Sequence, residues 1–514
     1  MKFSSLSRML KALPFVAALF ASVPALAAPD DTDLAALLAR VERIEEENAR
    51  LRADLEALRR KDEAREAAQQ AAAPAVIAAT PAAVATAPVA VTQQASMVSD
   101  DGRPLFGIDT NYSRDILDHT RNISTRQVIQ LQARKEGRLN SVVTLSGEVI
   151  AIADAHWSNR PNKFGYLMRH PTGNNQRTKS TQEIAINSVQ LGVTMAPTSN
   201  FTGYFEMLYD PEQSFGQGTI TALGRNQIQI RKAYVMYGDL NKSPIYASAG
   251  KMDVPFGLQD SVSPFTNSST WHAFAPLAYG GQVGFLQGGI SVRAMAVVGG
   301  AQFRGANTPV DGTSVPSKLN NFAIDGSYTL DIADEASVML GGSYLHGTAY
   351  CQSYPVVHFN PCADNVPAWA AYGRVNYGKL EVIGDFAKTT KVWPGTQVPD
   401  PTNPLSAFAA HKVTSFTAGG RYLFGKEDKG TRVSLEYSKF IAGPKDSPWR
   451  RQDQTVVGLA QYFGEGATLF GEFIRTRGFS PLNFISGGNL ADGSTWSDAS
   501  ARSNVLVLGA RLGF

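Results

Sequence analysis

The sequence predicts an all-β fold: a transmembrane antiparallel β-barrel of about 16 strands, preceded by an N-terminal α-helical coiled coil. Three observations carry this prediction. From residue 141 onward, segments of roughly ten residues alternate polar and apolar side chains. The connections between those segments alternate short and long. After the first 30 positions no run of 18 or more apolar residues occurs, so the chain is not a bundle of membrane helices. Composition agrees. Among 514 residues, 46 are Gly, 10% are aromatic and only 18% are charged, which suits many strands joined by turns. A net charge of +3 gives no concentrated basic face, so no nucleic-acid partner is expected. Two cysteines exclude a disulfide scaffold or a zinc ribbon.

Residues 1–27 read as a secretory signal. Lys2, Arg8 and Lys11 form the positive region, Leu13 to Phe20 the apolar core, and Ala25-Leu26-Ala27 the cleavage site. Residues 28–66 read as a periplasmic coiled coil. Leu34, Val41, Asn48 and Leu55 fall at a; Leu37, Ile44, Leu51 and Leu58 fall at d. The buried Asn fixes register. The pairs Arg40 with Glu45, Glu47 with Arg52, and Asp54 with Arg59 attract only when helices run parallel. A parallel homo-oligomer follows, dimer or trimer. Residues 67–104 are an Ala/Pro-rich, solvated linker.

The segment 105–140, leading into the barrel, has two readings. Val128, Gln130 and the turn-like Lys135-Glu136-Gly137 fit an extra strand pair, giving eighteen strands, or a segment inside the lumen. The barrel occupies 141–514. In its last strand Leu506, Leu508, Ala510, Leu512 and the terminal Phe514 share one face, and Val505, Val507 and Arg511 the other. Phe201, Phe205 and Met207 alternate with Thr202, Tyr204 and Glu206; Leu380, Val382 and Phe386 alternate with Glu381, Ile383 and Asp385. In lipid only a closed barrel satisfies the backbone of such strands. Seven short turns are read at 196–200, 239–243, 286–289, 331–336, 378–379, 425–430 and 464–467. Eight long loops lie between them, so both barrel ends fall on the short-turn side, which is periplasmic in outer-membrane barrels. Phe201, Tyr237, Tyr246, Tyr328, Tyr377, Tyr422, Phe424, Tyr462, Phe463 and Phe514 lie beside the short turns, as a girdle would. Lys232 breaks the parity of Ile228, Ile230, Tyr234 and Met236, which calls for a bulge.

Inward parity places Glu148, Asp154, Glu206, Asp325, Glu381, Asp385, Glu436 and Glu472 in the lumen, with Arg231, Arg293, Arg374, Arg421, Arg432 and Arg511. Charges of both signs predict a water-filled pore with a transverse field. The third long loop, 252–279, is rich in aromatics and so needs cover; it is expected to fold into the lumen. Asp253, Gln259, Asp260, Trp271 and His272 are its candidate pore-lining residues. Cys351 and Cys362 share one long loop and fit a disulfide. H-E-x-x-H, G-x-S-x-G and the phosphate-binding loop are missing, so no enzyme activity, cofactor or metal is expected.

The stretch Gly250-Lys251-Met252-Asp253-Val254-Pro255-Phe256-Gly257, with Ser263-Pro264-Phe265 and Trp271-His272-Ala273-Phe274, resembles the LbtU-type siderophore porin family. More distantly it is similar to phosphate-selective porins of the OprP type, from whose basic lumen the mixed charges here depart. The resemblance implies a signal peptide, a periplasmic coiled coil, a sixteen-stranded barrel in a Gram-negative outer membrane, and uptake of ferric siderophore without a plug-type receptor. Only 113 residues separate the signal from residue 141, too few for a globular plug beside the coiled coil and linker. The expectation is a homotrimeric channel for a small polar solute, in contact with outer-membrane lipid. A general or anion porin is the first alternative. A tether, the coiled coil touching peptidoglycan, is the second.

Overall fold

A computed structural model describes residues 99, 102–161, 163–164, 178–210, 227–298, 319–351, 365–393, 408–480 and 497–514. The signal, the coiled coil and nearly all of the linker lie outside the described residues. Chain order begins with a short strand β1 (Phe106–Ile108) and two helices, α1 (Thr110–Leu117) and α2 (Arg126–Lys135). The wall follows: β2 (Val143–Ser158), β3 (Ser180–Met195), β4 (Phe201–Asp210), β5 (Gln227–Tyr237) and β6 (Ile245–Asp253). A third helix, α3 (Ser269–Phe274), sits in the loop before β7 (Leu277–Gln287). Then come β8 (Ile290–Val297), β9 (Asn321–Ala333), β10 (Ala336–Leu345), β11 (Ala368–Tyr377) and β12 (Leu380–Thr389). The wall ends with β13 (Thr414–Phe424), β14 (Thr431–Ile441), β15 (Arg451–Tyr462), β16 (Ala467–Phe479) and β17 (Asp498–Gly513).

Each strand from β2 to β16 pairs antiparallel with the next, and β17 closes on β2 from Ser503↔Ser158 to Gly513↔Glu148. The barrel therefore has 16 strands, not eighteen. Because β17 stops at Glu148, the edge of β2 from Val143 to Leu145 is left over, and β1 takes it as a parallel partner. The rest of 105–140 contains α1 and α2 and adds no further strand. The seven short connections fall where the sequence places them. Three are two residues long, and one of these, Gly288-Gly289, has φ of 58° and 80°. Two left-handed residues in a row are what a two-residue hairpin needs, and glycine adopts them without a Cβ penalty.

The outer surface is apolar, with Ile184, Ile228, Val235, Leu340, Leu435, Leu508 and Leu512 exposed. An apolar exterior on a closed sheet is the signature of a barrel standing in lipid. The girdle needs two corrections. Tyr246 is 1% exposed and faces inward, because Ile245 takes the outer face at the start of β6. Tyr462 is half-buried, its ring 5.1 Å from the Arg432 guanidinium. The bulge is present. Register between β4 and β5 shifts between Glu206 and Met207, where Lys232 and Ile230 are the successive partners and Arg231 is skipped. Parity therefore switches within β5. Ile228 and Ile230 face out, whereas Lys232, Tyr234 and Met236 are buried inside. Strict alternation would put all five on one face; the one extra residue that the broken parity calls for divides them.

Candidate functional site

The loop 254–276 folds into the lumen, as its aromatics require, and nearly all of it is buried. Three inward carboxylates of the wall hold its backbone. Asp385 accepts from the Gln259 amide at 2.9 Å. Glu436 accepts from the Val262 amide at 2.8 Å and the Ser261 hydroxyl at 2.7 Å. Glu472 accepts from the amides of Phe265 and Thr266 at 2.7 and 3.1 Å. Each such hydrogen bond contributes about 0.5–1.5 kcal/mol net. The wall also makes room. A Cβ added at Gly458 would lie 2.5 Å from the ring of Pro264, and one at Gly419 would lie 2.6 Å from Val262. These two positions admit the loop because they carry no side chain. Phe265 then stacks on Phe470 at 5.2 Å, within an apolar patch of Ile150, Val456, Ile474 and Val507. Ser268 caps α3 by accepting from the Trp271 amide, which sets Trp271 against Ile123.

Ile123 belongs to the second occupant of the lumen. Asp109 caps α1 by accepting from the Tyr112 amide at 2.7 Å. The buried side chains Tyr112, Ser113, Ile116 and Leu117 follow helical spacing and form one face. With α2 they make a hairpin whose contacts reach around the wall. The Tyr112 hydroxyl bonds Thr194 on β3 at 2.7 Å, Ser113 donates to Ser146 on β2, and Tyr234 on β5 donates to Gln130. Arg121 meets Glu381 on β12 at 2.9 Å, and Asp118 meets Arg511 on β17 at 3.5 Å. Arg293 on β8 donates to the Ser124 carbonyl. The hairpin also touches the loop directly. Ser261 donates its amide to the Thr120 carbonyl, Asn267 its side chain to the His119 carbonyl, and Asp260 accepts from the Ile123 amide. At the short-turn rim Arg134 donates to the carbonyls of Thr198, Ser199 and Phe201. Loop and hairpin thus join edge to edge across the lumen.

The luminal charges are not opposed walls. They pair where they stand. Arg231 lies 3.3 Å from Glu206, Arg293 2.5 Å from Asp325, and Arg421 2.8 Å from Glu381; Arg374 pairs with Asp260. Asp253 pairs with Lys232 at 2.7 Å and faces the Arg126 guanidinium at 3.8 Å. The transverse field expected from the sequence is replaced by local ion pairs. Burial alone would raise the Asp118 carboxyl, but Arg511 and His119 beside it hold it below the ordinary range. Of the residues predicted for the path, Asp260, Arg374, Glu381 and Arg421 converge on the hairpin–loop junction. Gln259 and Asp385 fasten the loop, with Gln259 in a left-handed φ of 62°. Glu206, Arg231 and Asp253 belong to a separate cluster at the bulge, Arg293 holds the hairpin, and Trp271 and His272 sit on α3. Arg432 donates to the Tyr462 hydroxyl at 2.7 Å. Sequence reasoning missed Asp118, Arg121, Arg126 and the inward Lys232. The Asp109 cap and the i, i+4 pair Tyr112–Ile116 were the available signals for the first helix. Cys351 is buried and disulfide-bonded; Cys362 lies outside the described residues.

No family model matches the chain. It is 25% identical over 218 residues to a UPF0422 protein of Legionella pneumophila (strain Lens), covering 40% of each chain. It is 21% identical over 239 residues to a UPF0422 protein of Coxiella burnetii (strain RSA 493 / Nine Mile phase I), covering 46% of this chain and 47% of the relative. The match thus spans less than half the length of these curated relatives. Among solved structures, the outer membrane channel DcaP of Acinetobacter baumannii superposes with a TM-score of 0.45 at 15% identity, over 72% of this chain and 97% of that one. An anion-selective porin from Comamonas acidovorans gives 0.44 at 14% identity, over 72% and 99%. OprB of Pseudomonas putida gives 0.46 at 8% identity, over 74% and 97%.

Proposed function

We propose that this chain is an outer-membrane channel of porin type for a small polar solute, with the loop 254–276 and the helical hairpin together forming its selectivity region. The observation that carries the reading is the loop itself, fixed across the lumen by Asp385, Glu436 and Glu472. A barrel serving only as an anchor has no use for a loop so fastened. Ferric siderophore is the solute implied by the Gly250–Gly257 resemblance. A general or anion porin is the second reading, favoured by the arginines gathered at the junction. Asp253, Gln259, Asp260, Trp271, His272, Arg231, Arg293, Arg374, Arg421, Arg432, Glu206, Glu381 and Asp385 are the proposed path. A homotrimer, held in the periplasm by the coiled coil, is the proposed assembly. A disulfide from Cys351 to Cys362 would pin its loop, and contact of the coiled coil with peptidoglycan is the remaining partner proposal.

Single-channel recording in a planar bilayer tests this. Conductance steps blocked by ferric siderophore added from the long-loop side, and not by phosphate, would support siderophore passage. Steps indifferent to siderophore with anion-selective reversal potentials would select the porin reading. Silence from folded protein would sink both.

A further inference from the structure

A cavity of about 300 Å³ lies between the hairpin, the loop tip and strands β13 to β17, reaching the short-turn rim at Glu427 and Thr468. Five guanidinium groups line it: Arg114 from α1, Arg121 from the connection to α2, Arg421 from β13, Arg432 from β14 and Arg511 from β17. Only three carboxylates do so, Asp115, Asp118 and Glu427. The pairing is uneven. Arg121 and Arg421 share one carboxylate, Glu381, which also faces Arg374 at 3.9 Å. Arg114 donates to the Asn111 side chain, and Arg432 to the Tyr462 hydroxyl. Among the described residues neither has a carboxylate in ion-pair contact. A guanidinium carries five donors in a fixed fork, so among the described residues one bond to Asn111 or to the Tyr462 hydroxyl leaves most donors of Arg114 and Arg432 to meet a ligand. Arg511 is compensated by Asp118 at 3.5 Å and Glu148 at 3.4 Å, and Arg121 and Arg421 by Glu381, so the charge left over in this space falls on Arg114 and Arg432, where an added anion would be favoured.

We infer that this cavity is a binding site for a compact, multiply charged oxyanion, of polyphosphate or polycarboxylate type. Its volume lies at the lower bound of small-molecule sites, about 300–1,000 Å³, which excludes a bulky metal chelate. The site shares Arg421 and Arg432 with the proposed path and rests on that reading, which it deepens by naming a compact oxyanion as a ligand of the junction. Its ligand bridges the hairpin, through Arg114 and Arg121, to the wall, through Arg421, Arg432 and Arg511. Bidentate contacts of this kind are the strong ones.

Titration calorimetry on the detergent-solubilised full chain tests the inference, with pyrophosphate, citrate, inorganic phosphate and chloride as probes. One site per chain is expected, with pyrophosphate or citrate bound at least about tenfold tighter than chloride. The double variant R114Q/R432Q should weaken that binding about tenfold or more, with circular dichroism showing the barrel intact; R432Q alone serves if the double variant does not fold. A preference for pyrophosphate or for citrate would name the ligand class. No saturable binding by any probe, or binding unchanged in a folded variant, would overturn the site. Silence in the bilayer with binding intact would overturn the channel reading and leave the site standing.

Discussion

The two segments that fill the lumen are anchored by different chemistry. The loop 254–276 offers backbone amides to wall carboxylates, at Gln259, Val262, Phe265 and Thr266. The hairpin is fastened by side chains, through Arg121–Glu381, Asp118–Arg511 and Arg126 beside Asp253. Backbone anchors are short and fixed in number, so releasing one strands buried polar groups. Side-chain anchors sit on flexible stems, exchange partners and weaken with salt. A segment held through its backbone and one held through exchangeable side chains thus share one lumen.

The largest effect should come from breaking the rigid half. Glu472→Ala leaves the amides of Phe265 and Thr266 buried without acceptors, at a cost of roughly 2–6 kcal/mol. Thermal unfolding should drop, and limited proteolysis should cut within 254–276 while sparing the hairpin. Uncut loop at wild-type stability would refute the anchoring role. Next, Gly458→Val drives a side chain into Pro264, costing about 1–3 kcal/mol; its readout is a change in conductance, and an unchanged conductance would show that the loop does not set the constriction.

The releasable half gives smaller effects. Amide hydrogen exchange in 110–135 should quicken between low and high salt, while 256–274 stays protected. Equal response of both would erase the distinction. Because the Asp118 carboxyl is held below the ordinary range, its contribution is present at neutral pH and is lost only as pH falls through that lowered value. The hairpin should therefore stay docked at about pH 4, where free aspartates half-protonate, and Asp118→Asn should loosen it at every pH. The smallest effect is Tyr112→Phe, which removes the bond to Thr194 and about 0.5–1.5 kcal/mol. Burial pushes the Tyr112 hydroxyl up to about 12. Its stabilising neutral form is complete below the ordinary phenol range and is lost as pH rises through about 12. Alkaline titration should open α1 in the wild type and leave the Phe variant unmoved over that range.

The wall was legible because strand period two and turn composition are local. A reader needs only Leu506, Leu508 and Leu512 on one parity, or Gly288-Gly289 between two strands, to place a strand and its turn. The loop was legible because Phe256, Phe265, Trp271 and Phe274 have no business in water. The rest depended on contacts distant in sequence. Nothing near Arg121 announces Glu381, 260 residues away. The hairpin helices are short, and the apolar face of Tyr112, Ile116 and Leu117 is covered by wall residues distant in sequence, so its burial is set only by the closed wall. The parity of Lys232 and Tyr234 turned on a single inserted residue, which alternation signals without locating. Tyr246 shows the reverse failure: position beside a turn does not say which face an aromatic takes.

The closure of β17 on β2 also sets an order of assembly. The hairpin precedes every wall strand in the chain, yet Arg511, which grips Asp118, lies in the strand that comes last. Of the hairpin's anchors, Asp118–Arg511 must therefore wait until the final strand has found the first. Joining the two chain ends is the slowest kind of contact to form, since it closes the longest loop before anything rewards it. The Asp118–Arg511 contact thus reports a completed ring. A barrel missing its last strand would leave Asp118 without its guanidinium partner, an unfinished molecule distinguishable from a finished one.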